Sequence, residues 1–229
     1  MGLKLLIREN RAFFILHTLL LVLGGYPLVV FDKVALFLQL NRFHLPCLDL
    51  FFYYITFLGS STMYILFVAT LAAMQLDNRI LLTSVCSFMA MSVTVQGMKR
   101  IFFVDQLRPT ALIPKDVPLH IVEGTVPEIH LSFPSGHAAT IFTTVCLIHL
   151  LMPKKPVFLS IFLIFTAIVV AYSRLYLCQH FYRDIYVGAW VGTWTTVLVY
   201  RLLMNRQGPA WLDQKLLAPW SSKRKYKAS

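Results

Sequence analysis

The sequence has 229 residues, of which 58% are hydrophobic and only 14% charged, and its mean hydropathy is +0.68. These values exclude an ordinary soluble domain and indicate an integral membrane protein. The formal net charge is +11, and in so apolar a chain we take this charge to attract anionic lipid, with no nucleic-acid partner.

Six apolar stretches follow one another along the chain, at residues 12–30, 50–73, 80–98, 138–152, 157–172 and 185–203. Most have close to the ~20 residues that a helix needs to cross a bilayer. The fourth and fifth are short, and either alone fits a buried core helix, but the intervening "MPKKP" indicates a tight turn at a membrane surface. We therefore predict an all-α fold, a polytopic bundle of six transmembrane helices.

The segments between these stretches carry further signals. Residues 32–43 alternate apolar and polar positions with helical spacing, which predicts a short helix along the outer membrane interface. Residues 99–133 form a long polar, proline-containing loop, and residues 205–229 form a basic tail. Gly188 and Gly192 have the spacing of closely packed helices. We predict a single membrane-embedded domain over residues 1–229.

The basic residues fall into two groups in a six-span arrangement. Lys4, Arg8, Arg11, Arg79, Lys154, Lys155 and the tail lie on one side. The positive-inside rule makes that side cytoplasmic, with both termini inside. The second group lies on the outer side, against the rule, and therefore indicates an anionic ligand there. It comprises Lys99, Arg100, Arg108, Arg174 and Arg183.

The unusual polar residues are concentrated in three segments: "KRIFFVDQLRP" at 99–109, "PSGH" at 134–137 and "SRLYLCQHFYRD" at 173–184. No span separates the first from the second, and two spans separate the second from the third. All three segments are therefore predicted to emerge on the same face of the membrane.

The segment "PSGH" stands where the fourth apolar stretch begins. Proline suits the first turn of a helix, and the free N–H groups of that turn bind anions. Ser135 adds a hydroxyl donor, Gly136 permits close approach, and His137 can donate a proton. An ordinary helix start capped by Ser135 explains "PSG" equally well, so His137 is what favours a site.

His180 and Asp184 are four residues apart, which on a helix places both on one face. A carboxylate bonded to one imidazole nitrogen leaves the other nitrogen free to attack. Arg174 can bring a fork of donors to a phosphoryl group. A structural hydrogen bond explains the His–Asp pair alone, but not why Arg108 and His137 share its face.

A metal site is the main chemical alternative, because His137, His180 and Asp184 provide two imidazoles and a carboxylate. Three cations on the same face would repel a divalent ion but would neutralise a phosphate. These are Arg108, Arg174 and either Lys99 or Arg100. We therefore expect no metal and no other cofactor.

These segments resemble the signature of the type 2 phosphatidic acid phosphatase superfamily of integral membrane lipid phosphatases. Its second part is complete in "PSGH", and its third part is complete in Ser173, Arg174, His180 and Asp184. In the first part a lysine commonly precedes Arg-Pro by six intervening residues, whereas here eight separate Lys99 from Arg108 and seven separate Arg100 from it. Which of these two cations fills the position is left open.

The resemblance implies a metal-independent phosphohydrolase with a phosphohistidine intermediate. His180 would be the nucleophile, Asp184 would orient it, and His137 would protonate the leaving group and later activate water. The phosphate oxygens would be held by Lys99, Arg108, Ser135, Gly136 and Arg174.

The implied substrate is a lipid phosphate or diphosphate. Polyprenyl diphosphate, phosphatidylglycerol phosphate, phosphatidic acid and the 1-phosphate of lipid A are all candidates. Transfer of the phosphoryl group to another acceptor is an alternative activity, and a non-catalytic lipid transporter or scramblase is an alternative of another class. We expect a bacterial inner membrane protein with its active site facing the periplasm. Residues 110–132 either shape headgroup choice or form a plain structural cover.

Overall fold

The computed structural model describes residues 2–126, 128–204 and 208–216. Apart from one isolated bridge between Asp77 and Lys215, the regular structure in these residues is helical, which confirms the all-α prediction. The α-helices are α1 (Leu3–Glu9), α2 (Arg11–Val30), α3 (Lys33–Leu40), α4 (Pro46–Ile55), α5 (Ser61–Ala73), α6 (Asn78–Gly97), α7 (Pro109–Leu112), α8 (Gly136–Leu151), α9 (Val157–Tyr176) and α10 (Tyr182–Met204). Single 3-10 turns cover Thr56–Gly59 and Ala210–Asp213, and a π-helical turn covers Met98–Phe102.

Several helices are long and apolar enough to cross a membrane. Among the described residues they are Arg11–Val30, Asn78–Phe102 and Val157–Tyr176, and a fourth span is added if the bent pair Pro46–Gly59 and Ser61–Ala73 counts as one. The two remaining predicted stretches form α8, which has only 16 residues, and α10, which has 23. The protein is thus an integral membrane protein of several apolar helices, and the count of six spans stays a prediction.

The predicted second stretch, residues 50–73, is not a continuous helix. It is interrupted at Thr56–Gly59, and the two halves are bent by 56°. Ser60 begins the second half as its N-cap, with Oγ accepting a hydrogen bond from the Met63 N–H at 3.1 Å. Gly59 lies so close to α8 that an added Cβ would be 2.9 Å from the carbonyl oxygen of His137. The interruption therefore brings the backbone at Thr56–Ser60 against the start of α8.

Helix α8 occupies the middle of the bundle, where it packs against α6, α9 and α10. The contact with α10 is very close. A Cβ at Gly188 would lie 2.6 Å from the carbonyl oxygen of Ser135, and one at Gly192 would meet the backbone of Ala139. The close packing predicted for these two glycines is confirmed, and it fixes the start of α10 against the start of α8.

The connector helix predicted within residues 32–43 is confirmed as α3, and the Asp32 carboxylate caps it by accepting from the Val34 N–H at 2.8 Å. The predicted basic tail lies mostly outside the described residues. Within 208–216, Asp213 accepts a hydrogen bond from Nε of Arg79 at 2.7 Å. The segment after α10 and the first turn of α6 therefore lie at the same end of the bundle.

Candidate active site

A cavity of about 220 Å3 opens at the opposite end of α6 from Arg79, where this helix meets the first turn of α8 and the last turn of α9. The predicted site residues that line it are Lys99, Arg108, Gly136, His137, Arg174 and His180. The two others, Ser135 and Asp184, are fully buried and bonded to each other through the backbone, with the Ser135 N–H donating to the Asp184 carbonyl at 2.9 Å. Segments separated by two helices along the chain therefore meet at one cavity.

His180 is held in a tight reversal of the chain between α9 and α10. The N–H groups of Gln179 and His180 both donate to the carbonyl oxygen of Arg174, at 2.9 and 3.1 Å. Cys178, in the middle of the reversal, has a φ of 56°, a left-handed conformation that ends a helix. The predicted reason for the meeting of His180 and Asp184 was therefore wrong, because α10 begins only at Tyr182 and His180 precedes it.

The Asp184 carboxylate nevertheless reaches back to His180. Its Oδ2 lies 3.6 Å from Nδ1 of His180. The same oxygen accepts from the Phe181 N–H at 3.0 Å and from the Ser132 hydroxyl at 2.5 Å. These bonds hold the carboxylate next to the edge of the ring that carries Nδ1. The other ring nitrogen, Nε2, is then the one available for chemistry.

Burial lowers the pKa of His180 to about 3, against the opposing effect of the Asp184 carboxylate, which raises it. Only 2% of the residue's surface is exposed, and the charged imidazolium is poorly solvated in such a place. At neutral pH His180 is therefore uncharged, which is the state in which an imidazole nitrogen is nucleophilic.

The start of α8 has the geometry of both interpretations of "PSG". Ser135 is the N-cap, and its Oγ accepts from the Ala138 N–H at 3.4 Å. Gly136 and His137, the next two residues, line the cavity. Ser135 therefore caps the helix in the ordinary way, and the helix N-terminus that it caps is directed at the cavity. The two interpretations do not exclude each other.

The three cations around the cavity are almost fully buried. Lys99 is 7% exposed, Arg108 5% and Arg174 9%. Neutral oxygens hold two of them: Nζ of Lys99 donates to the Leu131 carbonyl at 2.6 Å, and Nη1 of Arg174 donates to the Thr56 hydroxyl at 2.9 Å. Neither contact neutralises the charge, so the cavity favours an anion.

The choice between Lys99 and Arg100 depends on the π-helical turn that carries both. Lys99 lines the cavity, whereas Arg100 is exposed and donates to the side chain of Gln96 at 3.3 Å. An extra residue in the helical turn changes which side chain faces inward. The unusual spacing before Arg108 is thus accommodated, with Lys99 facing the same space as Arg174.

Arg108 has a carboxylate partner. Its Nη2 lies 2.5 Å from Oε2 of Glu128, and the side chains are 7% and 62% exposed respectively. Nη1 of Arg108 also donates to Oε1 of Gln179 at 2.9 Å, and Nε donates to the His130 carbonyl at 3.1 Å. Glu128 itself lines the cavity. The exposed Glu128 carboxylate is therefore already paired with Arg108, one of the cations of the cavity.

Sequence reasoning did not identify Thr56 and Gln179, and it placed Ser132 and Glu128 only within the loop of residues 110–132, for which headgroup choice and structural cover were both left open. Ser132 stands two residues before "PSGH" and Gln179 directly precedes His180, so nearness to the motifs was an available signal for both. Thr56 lies within an apolar stretch, and its only signal was that it is polar. The residues of the metal alternative, His137, His180 and Asp184, do not converge as the ligands of one ion within the described part of the chain.

Comparison with known proteins found several that are similar to this chain. The model of the PAP2 superfamily matches residues 79–208, which include all three segments. The undecaprenyl-diphosphatase of Sulfolobus acidocaldarius is 28% identical over 186 residues, which are 81% of this chain and 85% of that protein.

Two crystal structures are also similar. LpxE of Aquifex aeolicus has a TM-score of 0.64 at 25% identity, with 75% of this chain and 97% of that chain covered. A transmembrane PAP2-type phosphatidylglycerolphosphate phosphatase of Bacillus subtilis has a TM-score of 0.57 at 20% identity, with 86% and 97% covered, and shows a shared fold. With the family match spanning more than half of its length, the chain belongs to the PAP2 superfamily of membrane lipid phosphatases.

Proposed function

We propose that the protein hydrolyses the phosphate or diphosphate monoester of a membrane lipid through a phosphohistidine on His180. The observation that carries this proposal is one cavity that brings His137 and the neutral His180 together with the buried cations Lys99, Arg108 and Arg174. The described contacts of Lys99 and Arg174 are to neutral oxygens. Buried cations held in this way are costly without an anion, and a phosphoryl group supplies one.

The phosphoryl oxygens bind Lys99, Arg108 and Arg174, and the first turn of α8 contributes the Ser135 hydroxyl and the Gly136 N–H. These donors are fixed by their other contacts before the substrate arrives. Preorganised donors of this kind stabilise the charge that spreads over the oxygens in the transition state.

The reaction then takes two steps. Nε2 of neutral His180 attacks phosphorus, the phosphorus–oxygen bond to the lipid breaks, and His137, which is protonated in the substrate complex, gives its proton to the departing oxygen. His137, now neutral, accepts a proton from water as that water attacks the phosphohistidine, which releases phosphate and restores His180. Asp184 stabilises the charge that His180 carries in between. The chain's own cations serve the electrostatic role, so no step requires a metal or another cofactor.

An apolar groove between α5 and α6 gives the lipid tail a place. It has a volume of about 340 Å3 and is lined by Tyr64, Ile65, Val68, Ala69, Ala72, Val85, Phe88 and Met89. Ser61 and Met91, which line the cavity, lie about one helical turn from Tyr64 and Phe88. The headgroup can therefore sit in the cavity while the tail leaves between these helices. Together with the S. acidocaldarius relative, this makes a polyprenyl diphosphate the first substrate to test.

We further propose that the six predicted stretches all cross the membrane within one domain of residues 1–229. In that arrangement the cavity faces the extracytoplasmic side, which is the periplasm in a bacterial inner membrane, and both termini are cytoplasmic. The contact between Arg79 and Asp213 at the other end of the bundle supports this topology, because it joins two segments that the arrangement places on the cytoplasmic side.

The proposal is tested with purified protein and a panel of lipid phosphates, scored by released phosphate. We expect turnover of at least one lipid, and in His180→Ala a loss of roughly a thousandfold or more. His130→Ala, which removes an exposed imidazole from the neighbouring loop, is the matched control. Unchanged turnover in His180→Ala would refute the nucleophile.

Radiolabelled substrate with a mixed pool of acceptors separates the alternatives. Label in inorganic phosphate supports hydrolysis, whereas label in a second lipid identifies a phosphotransferase. Complete lack of turnover across the panel, with lipid still exchanged between leaflets of a vesicle, identifies a transporter or scramblase.

A further inference from the structure

A second group of polar side chains lies outside the proposed catalytic site, where three separate segments meet. His44 comes from the loop between α3 and α4, Asp49 from the first turn of α4, and His120 from the long loop before α8. The group adjoins the last turn of α9, because the Tyr176 hydroxyl donates to Oδ1 of Asp49 at 2.5 Å. It therefore lies at the same end of the bundle as His180.

The three side chains converge. Nε2 of His120 lies 2.8 Å from Oδ2 of Asp49, and Nδ1 of His44 lies 3.9 Å from Oδ1 of Asp49. The candidate ligand atoms all lie within 4.8 Å of one another, and no second group of this kind occurs among the residues described. Zinc ligands about 2.1 Å from the ion lie about 3.4 Å from one another in a tetrahedron. Side-chain movements that shift the ligand atoms by about 1 Å would therefore bring all three side chains to one ion.

His44 shows why the site calls for a cation. Its Nε2 lies 2.5 Å from the carbonyl oxygen of Asn41, and since a carbonyl only accepts, Nε2 must carry the hydrogen. Nδ1 then has a lone pair, and it is buried without a hydrogen-bond partner. It faces the carboxylate of Asp49, which also only accepts. Two acceptors that face each other in this way are satisfied by a metal ion.

The surrounding contacts match those of protein metal sites. Ligating histidines commonly donate their other N–H to a backbone carbonyl, and ligating carboxylates accept a further hydrogen bond. His44 does the first through Asn41, and Asp49 does the second through Tyr176. A cavity of about 470 Å3 beside the two histidines has room for a water molecule as the fourth ligand and for the ion to reach the site.

We propose that His44, Asp49 and His120 bind one zinc ion. Two imidazoles and a carboxylate with an open position suit Zn2+ better than Mg2+ or Ca2+, which prefer oxygen ligands. The group differs from the His137, His180 and Asp184 set considered from the sequence, and it takes no part in the proposed phosphoryl transfer. The ion fastens the long loop to α4 and α9, where Val122 of that loop already packs on Phe52 and Tyr176.

The test measures zinc directly. Full-length protein in detergent is stripped with a chelator, dialysed against buffered Zn2+, and analysed for zinc per chain by mass spectrometry. We expect one ion per chain, and affinity at least about 100-fold weaker in His44→Ala and Asp49→Asn. His120→Ala is a third variant whose exposed side chain can be removed with little effect on folding. His130→Ala, on the same loop, is the control and should bind like the unaltered protein.

Two further readouts separate this site from any other. Zinc should protect residues 113–126 from hydrogen exchange in the unaltered protein but not in His44→Ala, and His180→Ala should retain full zinc binding. Absence of bound zinc in the unaltered protein, or equal affinity in His44→Ala, would overturn the proposal. Loss of zinc in His180→Ala with retention in His44→Ala would assign the ion to the catalytic cavity instead and would equally overturn it.

Discussion

The ion pair between Glu128 and Arg108 predicts that the Glu128 carboxylate lowers the affinity of the protein for its substrate. The pair joins Oε2 of Glu128 to Nη2 of Arg108 at 2.5 Å, inside the cavity that we assign to the phosphoryl group. A substrate phosphate must therefore displace the carboxylate before Arg108 can bind it. Glu128→Gln removes the competing charge while it preserves the size of the side chain.

The size of the effect follows from the exposure of the two partners. The Glu128 side chain is 62% exposed and that of Arg108 only 7%, so water screens the pair from one side. Exposed ion pairs contribute up to about 1 kcal/mol, which corresponds to roughly a fivefold change in binding. We expect Glu128→Gln to lower KM by about two- to fivefold and to leave kcat unchanged, because the carboxylate has already left Arg108 in the bound complex.

Steady-state phosphate release with a lipid substrate at fixed ionic strength measures both constants. Glu123→Gln on the same loop is the matched control, since the described residues show no ion pair for Glu123. An unchanged or higher KM in Glu128→Gln would show that the carboxylate does not compete with the substrate. The placement of the phosphoryl group at Arg108 would then be wrong.

Three further predictions concern the support of the site. Ser132→Ala removes the hydroxyl that holds Asp184 at 2.5 Å and should lower kcat about 10- to 100-fold with little change in KM, whereas Ser132→Thr should restore part of it. Gly188→Ala places a Cβ 2.6 Å from a carbonyl of α8 and should cost about 1–3 kcal/mol of stability, measured by thermal unfolding in detergent; Gly97→Ala, with nothing within 4 Å, should not. Because burial lowers the pKa of His180 from 6.5 to about 3, the unfolded chain binds a proton below pH 6.5 that the folded chain does not. The free energy of unfolding should therefore decrease as the pH is lowered from 6.5 to about 3, by up to about 1.4 kcal/mol per pH unit. The decrease should be less steep in His180→Asn.

Each of these has its own contrary outcome. A parallel change of KM in Ser132→Ala, without a fall in kcat, would show that the hydroxyl contributes to substrate binding and not to the position of Asp184. Equal melting temperatures for Gly188→Ala and Gly97→Ala would contradict the close approach of α8 and α10. Identical pH dependence of unfolding in His180→Asn would show that His180 is not the buried neutral group.

The sequence was informative about the site because membrane crossing restricts topology. Segments separated by no span or by two spans emerge on one side, so Lys99, His137 and His180 had to share a face once the apolar stretches were counted. Charge added to this, since cations such as Arg174 on the outer side run against the positive-inside rule and so indicate an anion there. Neither argument needs the detailed path of any loop.

The parts that sequence reasoning missed depend on local backbone conformation. Cys178 adopts a φ of 56°, a left-handed conformation that glycine usually supplies, so nothing in "LCQHF" announced the end of α9. The contact of Glu128 with Arg108 depends on how the long loop folds back, and loop paths are set by tertiary contacts. The interruption at Gly59 and Ser60 was visible as two small residues, but an apolar stretch tolerates such residues without a break.

The tethered carboxylate also bears on selectivity. Glu128 competes with every anion that binds Arg108, so it weakens the binding of free inorganic phosphate and the binding of lipid phosphate by the same factor. Discrimination between the two must then come from the groove between α5 and α6, which only a lipid can fill. The ion pair therefore lowers the binding of soluble phosphate by about the same two- to fivefold factor as that of lipid phosphate, and the preference for the lipid comes from its apolar tail.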